Sequence, residues 1–314
     1  MSAIVLRDVV KRYGSQRALD ELSFEVPRGA ICGLIGPNGS GKTTTMGILG
    51  GLIRPQRGQV DLLQSGPFDA RKHAGRISLM PQDAVPNPNL RVMELLVYYA
   101  RLLGMSPMRS REEASRRLAE VELRDRGNFR YGQLSHGMRR RFSIAQALLG
   151  NPEVILLDEP TSGLDPQLVV SIRRLLMSYR GRATLLVSSH IHSELETLCD
   201  HLVFIDAGRC VRQGPLGELT SADRVVRYTL STEPDLEQLS AEIPDCSLSW
   251  NSPVLTLRSP RSRPTEEINR LCLSVLLESR VGILQVQPGE GLEATYLRSR
   301  GAERTSSSRQ GEQQ

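Results

Sequence analysis

Between the apolar stretch Ala30–Ile35 and a helix-forming run from about Lys42 to Leu52 lies the segment Gly36-Pro37-Asn38-Gly39-Ser40-Gly41-Lys42-Thr43. This segment constrains the chain more than any other. Its glycines let the backbone wrap an anion with N–H groups, and the helix that follows adds the positive end of its dipole. Lys42 can reach the β- and γ-phosphates of a nucleotide, and the Thr43 hydroxyl can be given to Mg²⁺. A buried strand running through such a loop into a helix belongs to an α/β layer.

A second segment supplies the other half of that chemistry. Val154-Ile-Leu-Leu-Asp158-Glu159 reads as a buried parallel strand with two acids at its C-terminal end, where open α/β sheets bind ligands. Asp158 is the better partner for Mg²⁺. Glu159 is placed to orient or deprotonate an attacking water. Adjacent acids can also cap a following helix, but Ser162 and Asp165 are better candidates for that task. Upstream, Leu134-Ser135-His136-Gly137-Met138 is a short polar turn opening a basic amphipathic helix.

The remaining chain fits around these segments. Ile4–Val10 and Leu22–Val26 read as strands, as do Gly58–Leu63, Arg76–Pro81 and Ala183–Ser188. From about 91 to 147 the pattern turns helical, a helical insertion in an α/β layer; another helix is expected near Pro166–Tyr179. Residues 1–218 therefore form one domain. Residues 222–300 read in the order βαββαβ, with a hairpin around Asn251-Ser252, which suggests a small ferredoxin-like α+β unit. Residues 301–314 almost lack apolar side chains and are expected to be disordered.

Bulk properties exclude several classes. No apolar run approaches the roughly 20 residues of a membrane helix, and the N-terminus lacks a signal-peptide core. A cytoplasmic protein is expected, with any membrane role supplied by a partner. Five scattered cysteines, an odd count, indicate free thiols in a reducing compartment. The net charge is +5, with arginine dense from Arg101 to Arg141. No aromatic interleaving supports nucleic-acid binding, so a solvated face or contact with a partner or acidic lipid is expected.

Taken together, the glycine loop, the LSHGM turn and the LLDEP strand resemble the ATP-binding subunits of ABC transporters. The resemblance covers residues 1 to about 218 and implies a P-loop NTPase fold binding ATP and Mg²⁺. It implies that Gln82 senses Mg²⁺ and contributes to catalysis with Glu159 and His190. Tyr13 matches the aromatic that stacks on adenine; residues 36–43 and Thr44 hold the phosphates; Thr43, Gln82 and Asp158 face the metal. Ser162-Gly163-Leu164-Asp165 matches the family's D-loop. His136 and Met138 depart from the commonest signature, LSGGQ, although φ at a helix start suits non-glycine residues. Gly291–Leu297 resembles the closing helix of ATPases that serve drug, lipid and polysaccharide exporters.

The family pattern implies a homodimer with two ATP between protomers, each closed by Ser135, Gly137 and Asp165 of the opposite subunit. It also implies a separate membrane-spanning permease, docked on the charged Val92–Arg130 helices and the loop after Gln82. The subunit would sit peripherally on the inner face of the cell membrane. The alternative is a soluble ABC ATPase acting on ribosomes, DNA or protein assembly. Such ribosome-associated chains usually carry two cassettes and DNA-repair members a long coiled coil; this chain has one cassette and no coiled coil.

Overall fold

The chain opens with two long antiparallel strands, β1 (Ser2–Tyr13) and β2 (Gln16–Pro27), and β4 (Arg57–Leu62) pairs with the other edge of β1. This computed structural model describes residues 1–82, 85–189, 192–219, 223–260 and 265–288. Both opening strands run well past the apolar segments Ile4–Val10 and Leu22–Val26. Backbone pairing extends through the polar residues up to a turn at Gly14-Ser15.

Between β2 and β4 lie β3 (Ile31–Ile35) and α1 (Lys42–Leu49). The latter stops three residues before the expected Leu52. Gly50 caps it and Gly51 turns left-handed at φ 73°. A short helix α2 (Ala70–His73) precedes β5 (Ile77–Met80). His73 is a fully buried structural residue: Nδ1 accepts from the Asp69 N–H at 2.9 Å, and Nε2 lies 3.3 Å from the Leu62 carbonyl.

The second sheet has the order β5-β6-β7-β3-β8-β9, with β6 (Val154–Asp158), β7 (Thr184–Ser189), β8 (His201–Asp206) and β9 (Arg209–Pro215). All pairs are parallel except β8 with β9. Every residue of β3, β6 and β7 is buried, as strands covered on both faces require. A core of Phe24, Leu34, Met46, Leu49, Leu156 and Val203 joins the two sheets. Each such side chain contributes roughly 1.5–3 kcal/mol on burial.

The helical insertion comprises α3 (Val92–Leu102), α4 (Pro107–Glu120) and α5 (His136–Ala147). Arg117 in α4 is 1% exposed. It donates to Glu113 at 2.8 Å, Glu120 at 2.9 Å and Asn151 at 2.6 Å, and also to the Tyr179 hydroxyl. The last two partners lie outside the insertion, so one buried cation ties it to the sheet layer. Beyond β6 come α6 (Pro166–Met177) and α7 (His192–Leu198).

Contacts divide the chain into two units, Met1–Pro215 and Leu216–Gln314. In the second, α8 (Leu216–Leu219) precedes β10 (Asp223–Leu230), α9 (Leu236–Glu242), β11 (Ser247–Asn251), β12 (Val254–Pro260), α10 (Thr265–Glu278) and β13 (Ile283–Pro288). The sheet order is β11-β12-β10-β13, with every pair antiparallel. Val226, Tyr228, Leu255 and Leu257 form its core with Leu239, Ile268, Cys272 and Leu276. The Gly291–Leu297 helix and the 301–314 tail lie outside the described residues.

No helix among the described residues is long and apolar enough to cross a membrane. All five cysteines are free thiols. Burial pushes those of Cys32 and Cys199 well above the ordinary range, so they are inert rather than reactive.

Candidate functional site

Strand order builds the site. Since β7 lies between β3 and β6, Ile35 pairs with Ser189 and Asp158 pairs with Ser188. The glycine loop after β3 and the acids after β6 therefore flank the end of β7. Lys42, Thr43 and Thr44 begin α1 immediately behind the loop.

Within the loop, Gly41 has φ 108°, and a Cβ there would stand 2.7 Å from the Ala18 carbonyl oxygen and 2.6 Å from Leu19 Cδ2. Only glycine fits. Lys42 is 7% exposed and folds back on the loop, its Nζ donating to the Gly36 carbonyl at 2.7 Å and the Pro37 carbonyl at 3.1 Å. Burial lowers its pKa from the ordinary lysine range, while Glu159 and Asp158 oppose that shift. The ammonium thus sits in a field set by the two acids.

An open cavity of about 550 Å³ joins Tyr13, Asn38, Gly39, Gly41, Lys42, Thr43, Thr44, Gln82 and Glu159. It also takes in Gln16 and Ala18, which carry no motif. Tyr13 is half exposed, with Lys11 Nζ 5.2 Å from its ring centroid. This volume is in the range of small-molecule sites. Its lining joins the cationic phosphate loop with an exposed aromatic ring.

Asp158 is 1% exposed. Its Oδ1 accepts from Ser188 Oγ at 2.5 Å, whereas Oδ2 is buried without a hydrogen-bond partner. A buried carboxylate oxygen left open in this way fits a hard divalent cation. Ser40 Oγ in the loop is likewise buried and unpartnered. Among the described residues no group of three or more His, Cys, Asp or Glu could hold a metal.

Glu159 has a left-handed backbone, φ 52°. Its N–H donates to Ser188 Oγ at 2.9 Å. Ser188 therefore organises both acids, yet the sequence marks it only as a strand residue near His190. His190 itself, expected to contribute to catalysis with Gln82 and Glu159, lies outside the described residues.

Ser135, Gly137 and Asp165 do not line the cavity. Ser135 is the N-cap of α5, accepting from the Met138 N–H at 3.3 Å, and Asp165 is the N-cap of α6, accepting from the Leu168 N–H at 3.0 Å. His136 occupies the first helical position of α5. Its imidazole lies against Gly163, where φ is 74° and an added Cβ would stand 2.6 Å from Cδ2 of the ring. The unusual histidine thus packs on the D-loop of its own chain.

A sheet with the glycine loop and acid pair at the ends of the two strands that flank β7 defines a P-loop ATPase. An ABC transporter family model matches residues 19–162. The Nod factor export ATP-binding protein I of Burkholderia orbicola (strain AU 1054) is 33% identical over 309 residues, covering 96% of this chain and 98% of its own. The protein of the same name from Cupriavidus metallidurans is 38% identical over 226 residues, 71% of this chain and 75% of that one. Among solved structures, a dimeric bacterial ABC transporter cassette superposes with TM-score 0.64 at 27% identity, covering 68% of this chain and 98% of that chain. A dimeric post-hydrolysis cassette bound to ADP and Pi gives TM-score 0.63 at the same identity, covering 68% and 98%. The chain belongs to the ABC transporter family, as an ATP-binding subunit whose ATPase activity is coupled to transport.

Proposed function

We propose that the chain dimerises head to tail around two ATP and powers export by a separate membrane-spanning partner. Lys42 with the Gly36–Gly41 loop and Thr44 would hold the phosphates, and Tyr13 the adenine. Asp158, Thr43 and Gln82 would hold Mg²⁺, whose charge neutralises the phosphate oxygens when bound. Glu159 orients and deprotonates the attacking water, and Gln82 and His190 complete the catalytic group. Ser135, Gly137 and Asp165 close the site bound to the opposite protomer.

The observation that carries the cross-subunit assignment is the placement of those three residues away from the cavity formed by Lys42 and Glu159. Two similar cassettes are dimers. The export direction follows the relatives named for Nod factor export, which align over nearly the whole chain. A drug, lipid, polysaccharide or Nod-factor-like cargo is proposed. Exposed Tyr98, Leu102 and Met108 on the α3–α4 helices, beside their arginines, supply an apolar element to the permease-docking face. The subunit is then peripheral on the cytoplasmic face of the membrane.

Purification from native membranes tests this reading. A co-purifying multi-span polypeptide that stimulates ATP turnover is expected. Co-purification with ribosomes or DNA instead would overturn it in favour of a soluble ABC ATPase.

A further inference from the structure

Arg140 lies in the second turn of α5 and is 7% exposed. Its guanidinium reaches three backbone carbonyls in two separate segments. Nη1 donates to the Gln82 carbonyl at 2.7 Å, Nη2 to the Asp158 carbonyl at 3.1 Å, and Nε to the Glu159 carbonyl at 3.0 Å. Nη2 also donates to the Glu159 carbonyl. The fixed fork of a guanidinium can span such a set; an ammonium, a point charge on a flexible stem, cannot reproduce it.

The carbonyl that takes two of these bonds belongs to the residue with the least comfortable backbone in the site. Glu159 is a non-glycine at φ 52°, a region that persists only where surroundings over-determine it. Ser188 holds its N–H and Arg140 its carbonyl. Both backbone polar groups of this acid therefore bond to side chains from other elements, and its carbonyl also accepts from the Ser162 N–H at 3.2 Å. The same guanidinium fixes the backbone at Gln82.

We propose that Arg140 is a positioning residue for the hydrolytic step. It holds Glu159 in its left-handed conformation and pins the Gln82 backbone, from the helix that Ser135 caps and whose first turn carries Gly137. The turn assigned to the neighbour's ATP and the acid assigned to the subunit's own ATP are thereby parts of one hydrogen-bonded body. A small rotation of α5 on dimer closure is transmitted to Glu159 without passing through nucleotide. This inference rests on the reading of Glu159 as the group that activates water.

A double-mutant cycle on the full-length protein tests it. Arg140→Met keeps an apolar stem and removes every donor. Its kcat is expected to fall about 10–100-fold, the scale for misplacing a reacting group, with KM for ATP changed less than about threefold. In a Glu159→Gln background, adding Arg140→Met should change turnover less than about threefold, because it acts through the carboxylate already removed. Arg140→Lys, which keeps the charge but reaches only some of the carbonyls, should fall between wild type and Arg140→Met. It enters the same cycle should the methionine variant fail to fold. Unchanged kcat in either soluble Arg140 variant, or losses that multiply with Glu159→Gln, would overturn the proposal. Near-normal turnover in Glu159→Gln alone would remove the reading beneath it as well, and that single variant distinguishes the two failures.

Discussion

Replacing Ser188 with alanine removes one oxygen that serves two groups. Its Oγ donates to Asp158 Oδ1 at 2.5 Å and accepts from the Glu159 N–H at 2.9 Å, and Ser188 is fully buried. A hydrogen bond to a charged group contributes about 1.5–3 kcal/mol and a neutral one about 0.5–1.5 kcal/mol. The two losses together come to about 2–4.5 kcal/mol, with a water entering the gap giving the lower end. The unit concerned spans Met1–Pro215. At that size each kcal/mol moves the midpoint about 2–4 °C, so a fall of about 5–15 °C is expected. Thermal unfolding of the nucleotide-free protein, following the transition of the larger unit, measures it. Ser188→Thr keeps the hydroxyl and suits a strand, and is the control. Turnover should fall together with stability in Ser188→Ala, since Glu159 loses the side-chain anchor of its N–H. A midpoint within about 1 °C of wild type, well below the expected shift, would refute the idea that this hydroxyl organises the acid pair.

Glu159→Gln should slow hydrolysis at least ~100-fold, the low end for a positioned acid–base group, while equilibrium binding of ATP persists; near-normal turnover would sink the catalytic role. His136→Ala should alter the rate less than ~10-fold, about 1.4 kcal/mol, because the ring packs on the D-loop of its own chain. Gly163→Ala should be the more damaging of the pair, since its Cβ meets that ring at a left-handed backbone position; equal ATPase rates in the two variants would contradict this packing. Arg117→Met removes its bonds to Glu113, Glu120, Asn151 and Tyr179 while Arg116 still pairs with Glu113, and should cost about 1.5–3 kcal/mol in denaturant unfolding. Burial raises the Glu113 pKa, but Arg117 and Arg116 outweigh it and hold the carboxyl below its usual 4.5. The folded state thus binds this proton less readily than the unfolded chain. The stabilisation is fully present above the usual value of 4.5 and is lost as pH falls below it through the depressed value. A pH series in that window should show the loss in wild type and a shallower slope in Arg117→Met.

The strand–loop–helix at Gly36 and the acids after β6 were legible because they rest on local rules. One needs glycines and a lysine at fixed spacing, the other an apolar strand with polar ends. Arg140 and Ser188 were not legible in that way. Their significance lies in backbone groups far along the chain, which no spacing announces. The β8–β9 hairpin was missed for a different reason. Its two-residue turn, Ala207-Gly208, has φ of 46° and 79°. Alanine replaces the asparagine or aspartate that usually signals such a turn. The ends of β1 and β2 were underestimated because their polar residues carry no apolar alternation, yet pairing continues through them. His136 shows the converse: the sequence marks it as a departure, but only the fold reveals Gly163 as the residue it rests on.

Ser135 and Asp165 each start a helix and each is assigned to the neighbour's nucleotide. Alanine at either position therefore measures two things at once. An N-cap lost to alanine costs about 0.5–2 kcal/mol in fold stability alone, and the helix start that frays carries the very groups meant for the opposite protomer. Thermal and kinetic phenotypes at these positions will travel together. Ser135→Thr and Asp165→Asn separate them, since each substitute can still accept the capping N–H while altering the size or charge offered across the interface. On that assignment, a change to a residue that cannot cap weakens the subunit that carries it and, across the proposed interface, the active site of its twin.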